Sequence, residues 1–285
     1  MSHTAPALPG PSNALTPAEL AASVEANVFA MLQAAADALG GDTELGRRLS
    51  RCHAWPGSPI FKAVWGARLA EAEVDAAIDE AVAWFRARQA PFFFWWTGAE
   101  TQPADLGRRL VARGLTVFEE RAPALTAEID RLNWGLPRPA GLRVEPVASE
   151  AALLHWKQVF VEAFSVPDFA GQAWVAATRT IGLGRTPWQL LLGTLEGEPA
   201  CCGLLYCGAG VAGLIGLGTR PAFRRRGLGT VMQLERLRIA RELGYRYAGL
   251  FASEMGLSPY LKLGFVDTGR WVSRYLWRAD EHRGF

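Results

Sequence analysis

The chain has 285 residues, half of them apolar, which is enough to bury the core of one large domain or of two smaller ones. Its 30 basic and 28 acidic residues leave a formal charge of +2, too little to indicate a nucleic-acid partner. The opening residues lack the cationic segment and apolar core of a signal peptide, so the sequence predicts a flexible arm over 1–16 and a cytoplasmic protein.

The first half predicts helices and strands in alternation. Thr16 is a helix-capping residue and Pro17 suits the first helical position, so an Ala-rich helix is expected to run to Gly40. The later elements are expected in this order: a helix over 71–89, the buried strand PFFFWWTGA, a helix over 105–113, and the strands LTVFEE and ALTAEID.

A linker separates the two halves. The segment GLPRPAG, residues 135–141, holds two prolines and two glycines and cannot sustain a helix or a strand. We therefore predict two domains, over 17–137 and 138–285. A fragment that begins at Pro139 is expected to keep its own core.

The second half predicts an α/β domain. Its expected elements are the strand LRVEPV, a helix capped by Ser149, a helix over 169–181, three antiparallel strands within 188–219, a helix ending at Gly244, the strand YAGLFAS, the short helix GLSPYLKL and a final pair of strands in GFVDTGRWVSRYLW. This order predicts a mixed, mostly antiparallel sheet flanked by helices.

One uncharged run, residues 200–218, has roughly the length of a membrane span. It contains six glycines, and CGAG in its middle is a turn signal between two runs of strand length. The run therefore predicts a buried β-hairpin, and no membrane partner is expected.

The cysteines and histidines do not indicate a metal site. The four cysteines lack metal-ligand spacing, and the four histidines are scattered without an HExxH pattern. Buried free thiols and no metal are expected.

The heptapeptide RRRGLGT, Arg224 to Thr230, stands where a strand passes into a helix. A helix N-terminus offers unpaired N–H groups, and glycines let an anion approach the backbone, so a phosphate site is one interpretation. A P-loop would need Lys after Gly229, and a dinucleotide fingerprint would need glycine in place of Met232. A basic turn that only caps the helix is the other interpretation of the bare motif.

Two longer segments, TRPAFRRRGLGTVM and LFASEMGLSPYLKLGF, resemble the GNAT superfamily of acyl-CoA-dependent N-acyltransferases. The resemblance covers about 141–277 and implies a GNAT-like fold with acetyl-CoA as cosubstrate. In that family the glycine loop holds the pyrophosphate of CoA, and the strand before it faces the pantetheine arm. The implied CoA-binding residues are Leu217, Gly218, Thr219, Arg224, Arg225, Arg226, Gly227, Leu228, Gly229, Thr230 and Ser253.

The same resemblance implies that Tyr260 protonates the departing thiolate, although a tyrosine that only packs beneath LKLGF is the alternative. Many family members carry a glutamate as general base on the strand, about six residues before Thr219, and here that position is Gly213. Three carboxylates remain candidates for the base: Glu162, Asp168 and Glu254. The alternatives are a water molecule as the base and a reaction without a general base.

The first half echoes the second. LGRRLVARGLTVFEE repeats the short helix, glycine and strand of SPYLKLGFVDTG, and aligning Gly114 with Gly264 puts Leu110 where Tyr260 stands. No Arg-x-x-Gly-x-Gly motif precedes it. We expect a degenerate GNAT-like domain that supports the second half, with an unrelated α/β cap as the alternative.

The expected function is N-acetyl transfer from acetyl-CoA to a primary amine of a small molecule or a protein. The alternative is a catalytically silent CoA- or acyl-CoA-binding sensor or regulatory module. The missing strand glutamate favours this alternative, and Tyr260 argues against it. Nucleic-acid binding through Arg224 to Arg226 is not expected, because no aromatic or basic platform accompanies them. A monomer or a homodimer is expected.

Overall fold

The computed structural model describes residues 15–54 and 60–279, so all but the last two residues of the predicted arm lie outside the described part. The helices are α1 (Pro17–Ala38), α2 (Val74–Ala87), α3 (Leu106–Ala112), α4 (Glu150–Phe164), α5 (Asp168–Ile181), α6 (Leu228–Glu242) and α7 (Glu254–Leu263). The strands are β1 (Asp42–Glu44), β2 (Ser50–His53), β3 (Lys62–Trp65), β4 (Phe92–Gly98), β5 (Thr116–Glu128), β6 (Leu142–Pro146), β7 (Trp188–Leu195), β8 (Glu198–Gly208), β9 (Val211–Thr219), β10 (Tyr247–Phe251) and β11 (Val266–Arg278).

The predicted helices are confirmed, and their starts follow from local chemistry. The Thr16 side chain accepts a hydrogen bond from the Glu19 N–H, and Glu19 reaches back to the Thr16 N–H, which forms a capping box. Ser149 caps α4, since its side chain accepts a hydrogen bond from the Ala152 N–H. Strands β1, β2 and β3 were not predicted, because segments of three or four residues are too short to show an alternating pattern.

All strands join one sheet, in the order β1-β2-β3-β4-β11-β5-β10-β9-β8-β7-β6. Two neighbouring pairs are parallel, β3 with β4 and β9 with β10, and the other pairs are antiparallel. Helices cover both faces of this sheet. The predicted mixed, mostly antiparallel sheet with flanking helices is therefore confirmed.

The uncharged run forms the predicted hairpin of β8 and β9. Its turn residues, Ala209 and Gly210, both have positive φ, +52° and +80°, as tight hairpin turns require. In the part of the chain that the structure describes, no helix combines the length and apolar character needed to cross a membrane. All four cysteines are free and buried, as predicted.

Strands β5 and β11 each pair with strands from the other half of the chain. The second part of β5, residues 124–128, pairs with β10 of the second half. In return, residues 272–278 of β11 pair with β4 of the first half. The prediction of two separate strands at each place is wrong, because β5 and β11 are each one continuous strand. The two pair with each other along their length, through register irregularities near Arg121, whose φ is +49°.

Helix α1 belongs to the first half of the chain but packs on strands of the second. A Cβ atom on Gly249 of β10 would lie 2.6 Å from Val24, and one on Gly213 of β9 would lie 1.9 Å from the Asn27 Oδ1. Both strands therefore need glycine where the helix crosses them. The domain limits near residue 138 stay a prediction, since the sheet and α1 cross from one half to the other.

Asn27 fastens α1 to the β8–β9 hairpin. Its Nδ2 donates to the carbonyl oxygens of Tyr206, Gly208 and Val211 at 3.0, 2.9 and 3.2 Å, and the side chain is only 1 % exposed. These bonds lie in the interior, where an unmade hydrogen bond is costly.

Asn27→Ala is expected to lower the free energy of unfolding by about 2 kcal/mol, because the buried hydrogen bonds from its amide to the hairpin carbonyls are lost. Urea denaturation measures the change. Asn133→Ala is the matched control, since Asn133 accepts a bond from Gly135 in an exposed turn, and its cost is expected below about 0.5 kcal/mol. Equal stability of the two variants would contradict the fastening role.

Candidate active site

Strands β9 and β10 separate to form a cleft. They pair in parallel only at Ala212 with Ala248 and at Gly213 with Gly249. Beyond these pairs β9 continues to Thr219 and β10 continues to Phe251 without pairing to each other. The backbone groups that face the gap are therefore free to bind a ligand.

A bulge in β9 lies beside this cleft. The register with β8 shifts between the pair Cys202–Gly218 and the pair Leu204–Ile215, and Gly216 has a φ of +61°. Two residues of β9 thus face one residue of β8. Bulges re-aim backbone groups next to active sites, and this one lies immediately before the predicted pantetheine-facing residues.

The loop between β9 and α6 presents a row of free N–H groups. Arg225 and Gly227 both have positive φ, +60° and +79°, and α6 starts at the next residue. Within the described residues, the backbone N–H groups of 225–230 donate no hydrogen bond. Left-handed turns that lead into a helix N-terminus form a cavity for anions, so the local structure is suited to a phosphate group.

The three arginines of this loop differ in what they do. The Arg224 guanidinium donates to the carbonyl oxygens of Thr219 at 3.1 Å and Ala163 at 2.8 Å, so it ties the loop to α4. Arg225 and Arg226 are exposed. The side chains of Arg225 and Arg226 are therefore in solvent beside the free N–H groups, whereas that of Arg224 stabilises the loop.

The other predicted CoA-binding residues flank the cleft. Leu217 and Thr219 are half-buried on β9, whereas Gly218 between them packs against Ala163 of α4. Ser253 follows β10 at the start of α7, is exposed, and its hydroxyl makes no capping hydrogen bond. Its oxygen is thus free to meet a ligand.

The remaining members of that set form the first turn of α6. Leu228 is buried in the core, while Gly229 and Thr230 are half-buried. A Cβ on Gly229 would have only the Leu217 side chain nearby, at 3.5 Å. The space over Gly229 is therefore open toward the loop.

Tyr260 lies in α7 and is only 7 % exposed. Its ring meets Phe265 edge-on at 5.6 Å, and its hydroxyl accepts a hydrogen bond from the Gln233 side chain. Burial raises the pKa of the phenol, and the charge of Arg236 and hydrogen bonds from Gln233 and Arg236 oppose that rise.

Arg236 was not predicted as a site residue. It is fully buried on α6 and donates to the carbonyl oxygens of Leu204 and Ile215 at 2.8 and 2.9 Å, beside the bulge. The sequence signal was an arginine on the apolar face of α6. Gly203 opposite it makes room, since a Cβ there would lie 3.0 Å from the guanidinium carbon.

Of the three carboxylates considered as general bases, two form ion pairs and one is exposed. Glu162 pairs with Arg220 at 2.6 Å and Asp168 pairs with Lys157 at 2.6 Å, and these hydrogen bonds hold both carboxyl pKa values below their usual range. Glu254 is exposed in the first turn of α7. Asn27 of α1 fills the space in front of Gly213, the position at which the family glutamate was expected.

The matching place in the first half is closed. Strands β3 and β4 also run parallel. Beyond the paired residues, the two chain segments are hydrogen-bonded again through the backbone of Gln102. Its carbonyl accepts from the Leu69 N–H at 3.1 Å, and its N–H donates to the Ala67 carbonyl at 3.0 Å. Leu110, which aligns with Tyr260, is fully buried. No phenol and no open gap stand there in the described residues.

A groove of about 430 Å³ runs along the other side of α1, lined by Phe29, Trp65 and Arg270 among others. Glu25 lies in it without a hydrogen bond in the described part of the chain, and burial raises the pKa of its carboxyl group. Among these same residues, no group of three or more His, Cys, Asp or Glu side chains is placed to hold a metal ion.

No protein-family profile and no curated protein matches the sequence. A GCN5-related N-acetyltransferase from Kribbella flavida aligns with a TM-score of 0.66 at 20 % identity, over 90 % of this chain and 97 % of its own. One from Sphaerobacter thermophilus aligns with a TM-score of 0.59 at 17 % identity, over 93 % and 94 %. A tandem GNAT protein from the clavulanic acid biosynthesis pathway aligns with a TM-score of 0.55 at 15 % identity, over 81 % and 78 %. The chain has the GNAT fold across both halves.

Proposed function

We propose that the protein is an N-acetyltransferase that moves an acetyl group from acetyl-CoA to a primary amine of a small molecule or a protein. The observation that carries the proposal is the row of free N–H groups at 225–230, placed at the mouth of the gap between β9 and β10. Similar folds in proteins described as N-acetyltransferases support the same activity.

The residues present suit acetyl-CoA. The N–H groups of the loop and the first turn of α6 would hold the pyrophosphate, with Arg225 and Arg226 adding positive charge. The free edge of β9 at 217–219 would bind the amide groups of pantetheine, and Ser253 would add a hydroxyl. The cosubstrate supplies an acetyl group activated as a thioester.

The chemistry then follows from the residues around the bulge. A neutral amine adds to the thioester carbonyl, and N–H groups of β9 beside Gly216 would stabilise the negative charge that develops on its oxygen. The carbon–sulfur bond breaks with its electron pair on sulfur. Tyr260 would donate its proton to that thiolate, and a water molecule would take the proton from the amine.

We propose a supporting role for the first half, as a degenerate GNAT-like domain with its division from the second half near Arg138. The closed junction of β3 and β4 and the leucine at 110 support this role. Helix α1 would exert this support, since Val24 and Asn27 cover the strands at the base of the cleft.

The second candidate is a CoA-binding sensor without turnover. Asn27 stands where a base would be needed, which favours this alternative. Release of CoA thiol from acetyl-CoA, measured over a panel of small primary amines and peptides with free N-termini, separates the two. Release that depends on at least one amine supports the enzyme; CoA binding without release above hydrolysis supports the sensor.

Gly229→Val is expected to weaken CoA binding by about 100-fold, because the new side chain would stand between phosphate and the backbone N–H groups. Isothermal titration calorimetry with CoA measures the affinity. Ala18→Val is the control: it places the same β-branched residue at the second position of α1, on an exposed surface. Unchanged affinity in a folded Gly229→Val protein would remove the pyrophosphate assignment.

A further inference from the structure

The buried guanidinium of Arg236 has no acidic partner. Burial lowers its pKa to about 10, so it stays charged at neutral pH. No carboxylate of the described residues pairs with it, and its contacts are backbone carbonyls, the side-chain amide of Gln233 and the Tyr260 phenol. A buried cation without an anion is costly to fold, and such groups occur where a charge is needed for function.

The contacts of Arg236 determine how Gln233 is oriented. A guanidinium can only donate, so the side-chain oxygen of Gln233 must face Arg236. The amide nitrogen of Gln233 then has to face Tyr260, where it donates to the phenol oxygen. One lone pair of that oxygen is therefore occupied, and the hydroxyl hydrogen is turned away from Gln233.

We propose that Gln233 and Arg236 position the Tyr260 phenol and stabilise its phenolate form. The Tyr260 phenol accepts from the Gln233 amide, and the Gln233 amide accepts from the Arg236 guanidinium. The guanidinium also donates to the Ile215 carbonyl, which lies beside the bulge. Cys201 and Cys202 of β8 are the other titratable groups that act on Arg236, and burial raises the pKa of both thiols. Neither thiol competes for the positive charge.

The catalytic use of this arrangement rests on the proposed function. When the thiolate of CoA leaves, the O–H bond of Tyr260 breaks and an S–H bond forms, so the phenol oxygen becomes negative. Gln233 then donates to an anion, with the positive charge of Arg236 behind it. Water returns the proton to the phenolate after the products leave.

The test measures the phenol directly. The full chain is produced with 3,5-difluorotyrosine at its five tyrosine positions, which brings the phenol titrations into a pH range that folded proteins tolerate. Fluorine NMR follows each phenol, and Tyr260→Phe identifies the signal of residue 260. Gln233→Met is expected to raise that pKa by about 1 to 2 pH units, since a hydrogen bond to the phenolate is lost.

Gln189→Met is the matched control, because Gln189 is also buried and bonds to Thr186. It is expected to leave the titration of residue 260 unchanged. Arg236→Met is expected to raise the pKa further, and Arg236→Lys, which keeps the charge, to raise it less. If Arg236→Met does not fold, the pKa of residue 260 in Gln233→Met and Arg236→Lys still tests the proposal.

An unchanged titration of residue 260 in a folded Gln233→Met protein would overturn the proposal. Turnover of the same variants without fluorine tests the catalytic use separately. A 10- to 100-fold lower kcat with an unchanged KM for acetyl-CoA would support both the positioning and the proton transfer. A raised pKa with an unchanged kcat, where chemistry limits the rate, would support the positioning and remove Tyr260 from the proposed mechanism.

Discussion

Replacing Tyr260 by phenylalanine is expected to lower kcat by about 10²- to 10⁴-fold while the affinity for CoA stays nearly level. Phenylalanine keeps the ring that packs against Phe265 and loses only the hydroxyl that accepts from Gln233. A proton donor to the leaving thiolate would be gone, whereas the shape of the core would be retained.

Steady-state release of CoA with the best amine of the panel measures the rate, and calorimetry measures the affinity. Tyr245→Phe is the control, because it removes a hydroxyl from another tyrosine that is 7 % exposed, outside the cleft. A fall in kcat of less than about threefold for Tyr260→Phe, with chemistry rate-limiting, would favour the sensor over the enzyme.

A chain that begins at Pro139 is expected to have no cooperative unfolding transition and no measurable affinity for CoA. It lacks β5, which lies between β10 and β11 and pairs with both. It also lacks α1, so the apolar surface around Gly249 would be exposed. The sequence alone led to the opposite expectation, since the linker at 135–141 indicated two independent cores.

Co-expression of residues 1–138 with 139–285 is the matched control for that fragment. Both pieces together supply β5, β11 and α1, so the pair is expected to be soluble and to bind CoA. Circular dichroism during heating and CoA titration check both samples. A soluble 139–285 fragment that binds CoA alone would show that the exchanged strands are dispensable for the cleft.

Local signals were enough to predict the parts of the cleft that are close in sequence. Proline and capping residues marked the helices, the CGAG turn marked the β8–β9 hairpin, and glycines marked the loop before α6. Each of these features depends on a few neighbouring residues whose conformational preferences agree with the fold.

The features that escaped prediction depend on contacts between distant segments. Nothing near residues 24–27 indicates that they meet Gly213 and Gly249, and no local pattern shows that β11 leaves its own half for β4. Arg236 looked like an interruption of an apolar helix face, because its carbonyl partners lie on β8 and β9. Burial of a charge is decided by such partners, and they are far away along the chain.

The exchanged strands also govern the order in which the protein can fold while it is being made. Strand β4 leaves the ribosome early, yet its neighbour on one side is residues 272–278, near the end of the chain. On helix α1, the part of the buried side around Val24 and Asn27 is likewise covered only after residues 206–249 have been made. The first half thus spends most of translation with an open strand edge and a partly uncovered apolar helix face, and both surfaces promote aggregation in a nascent chain.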